Sequence, residues 1–127
     1  MYFFGFQNSG QISVFYSIAD IFVLPAKWES WGLVINEAMC FGLPIITSTT
    51  VNAGYDLVRD GENGYLLEPD DLDGLIERME KLLRDPILRA GMGESSRKII
   101  SGWNYDLGVK AYLQALGYIH GKKHRGE

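Results

Sequence analysis

The sequence predicts an α/β fold: a three-layer unit of about four parallel strands with helices packed on the sheet and more helices at the C-terminal end. Three observations carry this. Short apolar runs such as Ile21-Phe22-Val23-Leu24 and Ile45-Ile46-Thr47 have the unbroken hydrophobicity of strands covered on both faces. Between them lie stretches whose apolar residues recur at three and four, the period of a helix with one buried side. The two kinds of segment alternate, which implies a parallel sheet between helical layers.

Along the chain, residues 2–6 are aromatic-rich and extended in character. Ser9 offers an N-cap to a short helix with Ile12, Phe15, Tyr16 and Ala19 on its apolar side. Residues 21–24 form the next strand, closed by Pro25, and residues 26–30 a loop. A helical period begins near Trp31 with Leu33, Val34, Ala38 and Phe41, and Gly42 supplies the left-handed position that commonly ends a helix. A strand over 45–48 follows. Asp60-Gly61-Glu62-Asn63-Gly64 reads as a tight surface turn, and 64–67 as the last strand. Asp70 caps an amphipathic helix carrying Leu72, Leu75, Ile76, Met79, Leu82 and Leu83, with Asp71 and Asp73 at its positive end. Asp85-Pro86 restarts a helix with Leu88, Met92, Ile99 and Ile100, which Gly91 and Gly93 weaken. A final helix carries Leu107, Ala111, Tyr112 and Leu116.

A chain of 127 residues can bury one real core and is too short for two independently stable ones. Residues 1–119 are read as that domain and 120–127 as a basic, flexible tail. Hydrophobic residues make up 46% and charged residues 22%, so disorder is not indicated. The net charge of −4 argues against nucleic acid as a partner, because phosphate recognition needs a clustered basic face. Lys122, Lys123 and Arg125 form the sole such cluster, and they share the tail with His120 and His124, read as a solvated end rather than a metal site. Cys40 stands alone in an apolar run, so no intrachain disulfide forms; it is expected to be a buried small residue in a reducing, cytoplasmic setting. No leader and no apolar stretch of about 18 residues indicates secretion or a membrane span.

The informative stretch is Glu29-Ser30-Trp31-Gly32-Leu33-Val34-Ile35-Asn36-Glu37, which follows an apolar strand and runs into a helix. Ligands of α/β sheets bind at that carboxyl end of the strands. The free N–H groups of the helix's first turn can there hold an anion such as a diphosphate, and Gly32 lets backbone approach closely. Glu37 lies about 9 Å along the axis from the helix start near Trp31, at 1.5 Å per residue, so the two carboxylates serve separate subsites. Carboxylates near a diphosphate need hydroxyl donors as partners, and a vicinal diol of a sugar or ribose can give both hydrogens to one of them. Two glutamates eight apart also occur by chance as surface or capping residues. For the Trp31 side chain, packing and ligand contact are equally good readings.

Five segments in this order resemble the group 1 glycosyltransferases, the large family of retaining, two-domain GT-B enzymes that includes glycogen synthases. They are Phe3-Phe4-Gly5-Phe6, Tyr16-Ser17-Ile18-Ala19-Asp20-Ile21-Phe22-Val23-Leu24-Pro25, Glu29 through Glu37 with Ala38-Met39, Gly42-Leu43-Pro44-Ile45-Ile46, and Asp60-Gly61-Glu62-Asn63-Gly64-Tyr65-Leu66-Leu67. The resemblance implies a partial Rossmann-like unit, the C-terminal part of the nucleotide-sugar-binding domain. It implies that Glu29 contacts donor-sugar hydroxyls at the catalytic centre and that Glu37 binds the nucleotide ribose. Trp31 stands where the family usually has Phe, and Gly32, Leu33 and Val34 where its backbone amides face sugar and diphosphate. The implied reaction moves a hexose from a nucleoside diphosphate sugar to an alcohol with retention of configuration, without a metal or other cofactor.

The departures bear on activity. Many relatives carry a glycine pair before an acidic residue where this chain has Asn52-Ala53-Gly54-Tyr55-Asp56. The family's Gly-rich turn, its Arg and Lys that balance the departing diphosphate, and its acceptor domain have no counterpart here, and loss of such electrostatic contacts costs orders of magnitude in rate. The expectation is therefore a donor-half fragment inactive alone, which needs the acceptor domain or a partner chain. The family's sheet has two further strands between those matching 2–6 and 21–24, so the first strand is expected to pair directly with the second, or another chain, including a second copy, to fill the gap. Two other readings are a non-enzymatic binding or assembly module on the same fold, and a flavodoxin-like signalling domain, which is unsupported because this chain has no acidic cluster at an early strand end.

Overall fold

A computed structural model of the chain describes residues 2–103 together with 109 and 113. Its elements are α1 (Ser9–Ile18), β1 (Phe22–Leu24), α2 (Leu33–Cys40), β2 (Ile45–Ser48), α3 (Asn52–Leu57), β3 (Gly64–Leu67), α4 (Leu72–Arg84) and α5 (Pro86–Ser101). The strands form one parallel sheet in the order β1-β2-β3, with Phe22 opposite Ile45 and Ile45 opposite Gly64. All four residues of β2 are buried, as a central strand covered on both sides requires.

Alternation along the strands divides the core in two. Ile45, with Phe22, Leu24 and Leu66, packs against Ile35, Ala38 and Met39 of α2 and Ala53 and Leu57 of α3. Ile46, with Val23, Tyr65 and Leu67, packs against Leu75, Met79 and Leu82 of α4. The fifth helix joins both clusters: Leu88 and Met92 belong to the second, Ile99 and Ile100 to the first. The expected three-layer α/β unit is present.

The sheet has three strands among the described residues, not four. Residues 2–6 are not a strand, since Gly5 takes φ +66 and breaks the extended run, and the side chains of Tyr2, Phe3 and Phe6 are exposed. The expected pairing of that segment with β1 is absent, and β1 is an outer strand among the described residues.

Several helix ends are displaced from their expected positions for identifiable reasons. The cap of α1 is Asn8 rather than Ser9, because Gln11 lies three residues on and closes a capping box: Asn8 Oδ1 accepts from Gln11 N at 3.0 Å, and Gln11 Oε1 from Asn8 N at 3.1 Å. Ala19, expected on the apolar side, is exposed at the helix's end. The second helix starts at Leu33, not Trp31, because Gly32 is left-handed. Its buried face is Ile35, Ala38 and Met39, while Leu33 is exposed and Val34 half-buried. Cys40, expected to be buried, closes that helix on its outer side and is exposed. Asp71 caps α4 by accepting from Gly74 N at 2.9 Å, whereas Asp70 turns the chain with φ +66. Leu72, Ile76 and Leu83 of the expected apolar face lie exposed.

Other expectations stand. Gly42 ends α2 with φ +73, and Asp85-Pro86 opens α5, Asp85 Oδ1 accepting from Leu88 N at 2.9 Å. Gly91 and Gly93 do not interrupt α5. The turn at 60–64 exposes Asp60, Gly61 and Glu62 but buries Asn63 completely. The helix expected to carry Leu107, Ala111, Tyr112 and Leu116, and the tail 120–127 with both histidines, lie outside the described residues. Among the described residues, no helix is long and apolar enough to cross a membrane.

Candidate functional site

At the carboxyl ends of β1 and β2, the loop that leaves β1 is tied to the segment that leaves β2. Thr47 Oγ1 donates to the Leu24 carbonyl and Thr50 Oγ1 to that of Ala26, each at 2.9 Å. Glu29 and Val51 then form a parallel β-bridge. Asn52 Nδ2 donates to the Ser30 carbonyl at 2.7 Å, and Ala53 N to that of Trp31 at 2.8 Å. Five successive rungs thus fix a loop of irregular backbone and give the carbonyls of Leu24, Ala26, Ser30 and Trp31 their partners. The Asn52-Ala53 pair supplies two of the rungs.

Gly32 closes the loop. It has φ +91, and a Cβ there would lie 2.9 Å from Val51 Cγ1 and 3.4 Å from Glu29 Cγ. Both conformation and space therefore require glycine. As the cap of α2 it brings no side chain to the helix, while Ile35 N bonds back to the Gly32 carbonyl at 2.9 Å. The amides of Leu33 and Val34 belong to the first turn, where N–H groups have no intrahelical partner.

Glu29 sits half-buried beside that turn. Its Oε1 accepts from Ser30 Oγ at 3.2 Å and from Trp31 N at 3.4 Å, so the Trp31 amide faces Glu29 rather than open space. Glu37 lies one turn into α2, half-buried, and its Oε2 accepts from the Tyr16 hydroxyl at 3.0 Å. The two glutamates share no partner. Burial, and then the hydrogen bond and charge of Glu37, push the Tyr16 phenol well above its usual range, so it stays a neutral donor.

The Trp31 side chain packs: its indole N–H donates to Asn36 Oδ1 at 3.1 Å, and its ring lies 5.7 Å from that of Trp103. At the rim, Lys27 pairs with Asp70 at 2.8 Å, both well exposed, an interaction of small energetic weight. Neither the Tyr16–Glu37 bond nor this pair was expected. Tyr16 lies in one of the quoted segments, but nothing local reveals a partner 21 residues away. Among the described residues no group of three His, Cys, Asp or Glu side chains could hold a metal ion.

Comparison with known proteins gives this geometry a context. The sequence pattern of glycosyl transferases group 1 matches residues 1–99. The UDP-Gal:alpha-D-GlcNAc-diphosphoundecaprenol alpha-1,3-galactosyltransferase of Escherichia coli is 36% identical over 86 residues, covering 68% of this chain and 22% of that protein. Sucrose-phosphate synthase from Thermosynechococcus elongatus superposes with a TM-score of 0.76 at 28% identity, over 99% of this chain and 31% of that one. The C-terminal domain of the group 1 family protein LpcC from Francisella tularensis superposes with a TM-score of 0.70 at 26% identity, over 80% and 51% of the two chains. This chain spans 22–30% of the length of the first curated relatives it matches. Its α/β unit is that of the GT-B glycosyltransferases, and the chain belongs to the glycosyltransferases of group 1.

Proposed function

We propose that this chain is the donor side of a retaining glycosyltransferase, the C-terminal part of its nucleotide-sugar-binding domain, and that it binds a nucleoside diphosphate sugar weakly and does not transfer the sugar without an acceptor domain. The observation that carries this reading is the placement of Glu29 beside the first turn of α2 at the strand ends, held there by its bridge to Val51. In it, Glu29 takes the donor-sugar hydroxyls, the Gly32–Val34 backbone faces the diphosphate, Trp31 contributes through its backbone, and Glu37 takes the ribose hydroxyls. The E. coli relative's name specifies a UDP-sugar donor, which makes UDP-hexoses the first to try. The proposed setting is cytoplasmic, with no metal or other cofactor.

The test is titration with UDP-glucose and UDP-galactose against UDP, followed by amide shifts in two-dimensional NMR. Binding in the millimolar range with a preference for the sugar-bearing form is expected, and Glu29→Ala should abolish the preference while leaving UDP itself bound. A preference that survives Glu29→Ala removes the assigned role.

One observation favours a non-enzymatic assembly module instead: the exposed rings of Tyr2, Phe3 and Phe6, and the outer position of β1 among the described strands, offer surfaces to another chain or a second copy. Absence of any nucleotide binding, together with self-association in sedimentation, would favour that role.

A further inference from the structure

We infer that the Tyr16 hydroxyl positions Glu37, holding its carboxylate in the orientation that takes the ribose hydroxyls of a nucleoside diphosphate; this rests on the ribose reading of Glu37 given above. Tyr16 is 7% exposed, and its ring lies 6.0 Å from that of Phe22 and 5.5 Å from that of Phe41. Wedged between a strand residue and the C-cap of α2, it is a fixed point. A Phe would fill the same apolar slot, so packing does not call for the hydroxyl. Placing a hydroxyl there costs free energy unless it finds a partner, and Glu37 Oε2 is that partner at 3.0 Å.

The chemistry of the pair suits a ligand more than a stability device. A glutamate on a helix face has three torsions and loses its freedom only when something holds it. A cation would hold it too, but would compete with neutral hydroxyls for the negative charge; among the described residues Glu37 has no ion-pair partner. A buried phenol donates one hydrogen and leaves the charge in place. A carboxylate has about four acceptor positions, so one phenol leaves enough for both hydrogens of a vicinal diol. The donor comes from α1 and the acceptor from α2, so the contact also ties α1 to the site helix.

The test compares UDP, GDP and ADP with their 2′,3′-dideoxy counterparts, which lack the diol, in the full chain and in Tyr16→Phe, Glu37→Ala and the double variant. The expected result is that Tyr16→Phe weakens the ribo form by about three- to tenfold, the size of one ordinary net hydrogen bond, because the bond lost orients the carboxylate and does not touch the ligand. The dideoxy form should be unaffected, and the double variant should bind no more weakly than Glu37→Ala. Tyr16→4-aminophenylalanine, which restores a donor, should recover the preference; Tyr16→4-fluorophenylalanine, which keeps the bulk without the donor, replaces Tyr16→Phe if that variant does not fold. Equal weakening of ribo and dideoxy forms would mean a purely structural hydroxyl and overturn the inference, as would an unchanged preference in Tyr16→Phe when Glu37→Ala abolishes it. A wild-type chain that binds none of the diphosphates, or binds both forms equally, instead overturns the ribose reading of Glu37, and the inference with it.

Discussion

Gly93 of α5 lies directly against the backbone carbonyl of Gly42, the left-handed residue that ends α2, so that a Cβ at position 93 would collide with that oxygen. One turn further along α5, Arg97 Nη2 donates to the neighbouring Phe41 carbonyl at 2.8 Å. The end of the site helix is thus seated on α5. Helix propensity alone favours alanine over glycine at 93 by about 1 kcal/mol, but the collision with backbone cannot relax and outweighs it. Gly93→Ala is expected to destabilise the fold by about 1–3 kcal/mol. Gly91→Ala, two residues away with open space around it, should stabilise by about 0.5–1 kcal/mol. Urea unfolding of both variants checks the opposite signs.

Gly32→Ala should cost about 2–4 kcal/mol, the sum of a strained left-handed backbone and contact with Val51. The two parts can be separated. In a thermodynamic cycle with Val51→Ala, relief of the contact should leave the double variant about 1 kcal/mol less destabilised than the sum of the two single variants, while the backbone cost stays. Strict additivity would show that Val51 does not constrain the loop.

Asn63 is wholly buried and makes three side-chain hydrogen bonds: Oδ1 accepts from Arg59 N at 2.7 Å, and Nδ2 donates to the Leu57 carbonyl at 3.2 Å and to Ser96 Oγ at 3.4 Å. Asn63→Ala leaves buried backbone groups unpaired and is expected to destabilise by about 2–4 kcal/mol. Ser96→Ala should cost distinctly less, since its two bonds to Asn63 are long at 3.4 Å. Chemical denaturation of each measures the difference.

The Tyr16 phenol is pushed up from its usual value near 10 by burial and by Glu37. A group that holds its proton more tightly when folded contributes stability that is intact below its unfolded value and is lost as pH rises above about 10. Alkaline unfolding should therefore set in above that pH, and Tyr16→Phe should flatten this part of the curve. An identical alkaline limb in both proteins would show that Tyr16 does not govern it.

Cys40 should react with one equivalent of a disulfide reagent in the native chain without denaturant, because its thiol is exposed at the end of α2. Labelling that requires unfolding would place it inside instead.

Much of this structure was legible because its signals are local. The Asp85-Pro86 start of α5, the left-handed Gly42 and the buried run of β2 each follow from a few adjacent residues. The differences between expectation and structure are also local in origin. Residues 2–6 have strand-like composition, yet a strand needs a hydrogen-bonding neighbour, and a positive φ at Gly5 ends the run. The helical period points to a start near Trp31, but α2 begins two residues later because Gly32 takes a left-handed conformation that periodicity does not report. Of the candidate site, Glu29 and Glu37 stand out through the chained motifs around them, since two glutamates eight apart also occur by chance. The groups that hold them in place, Val51 and Tyr16, are 22 and 21 residues away from the residues they serve, and no periodicity reports on such pairs.

The five rungs that join the loop after β1 to the segment after β2 have a thermodynamic consequence. A loop ordered by its own backbone and side-chain partners has surrendered its conformational entropy during folding, so little remains to be lost when a ligand arrives. A ligand at these strand ends would meet a loop that is already ordered, and its affinity would then be set by contacts and desolvation. Substitutions at Thr50 or Asn52, which need touch no ligand, would return that entropic cost to the binding step.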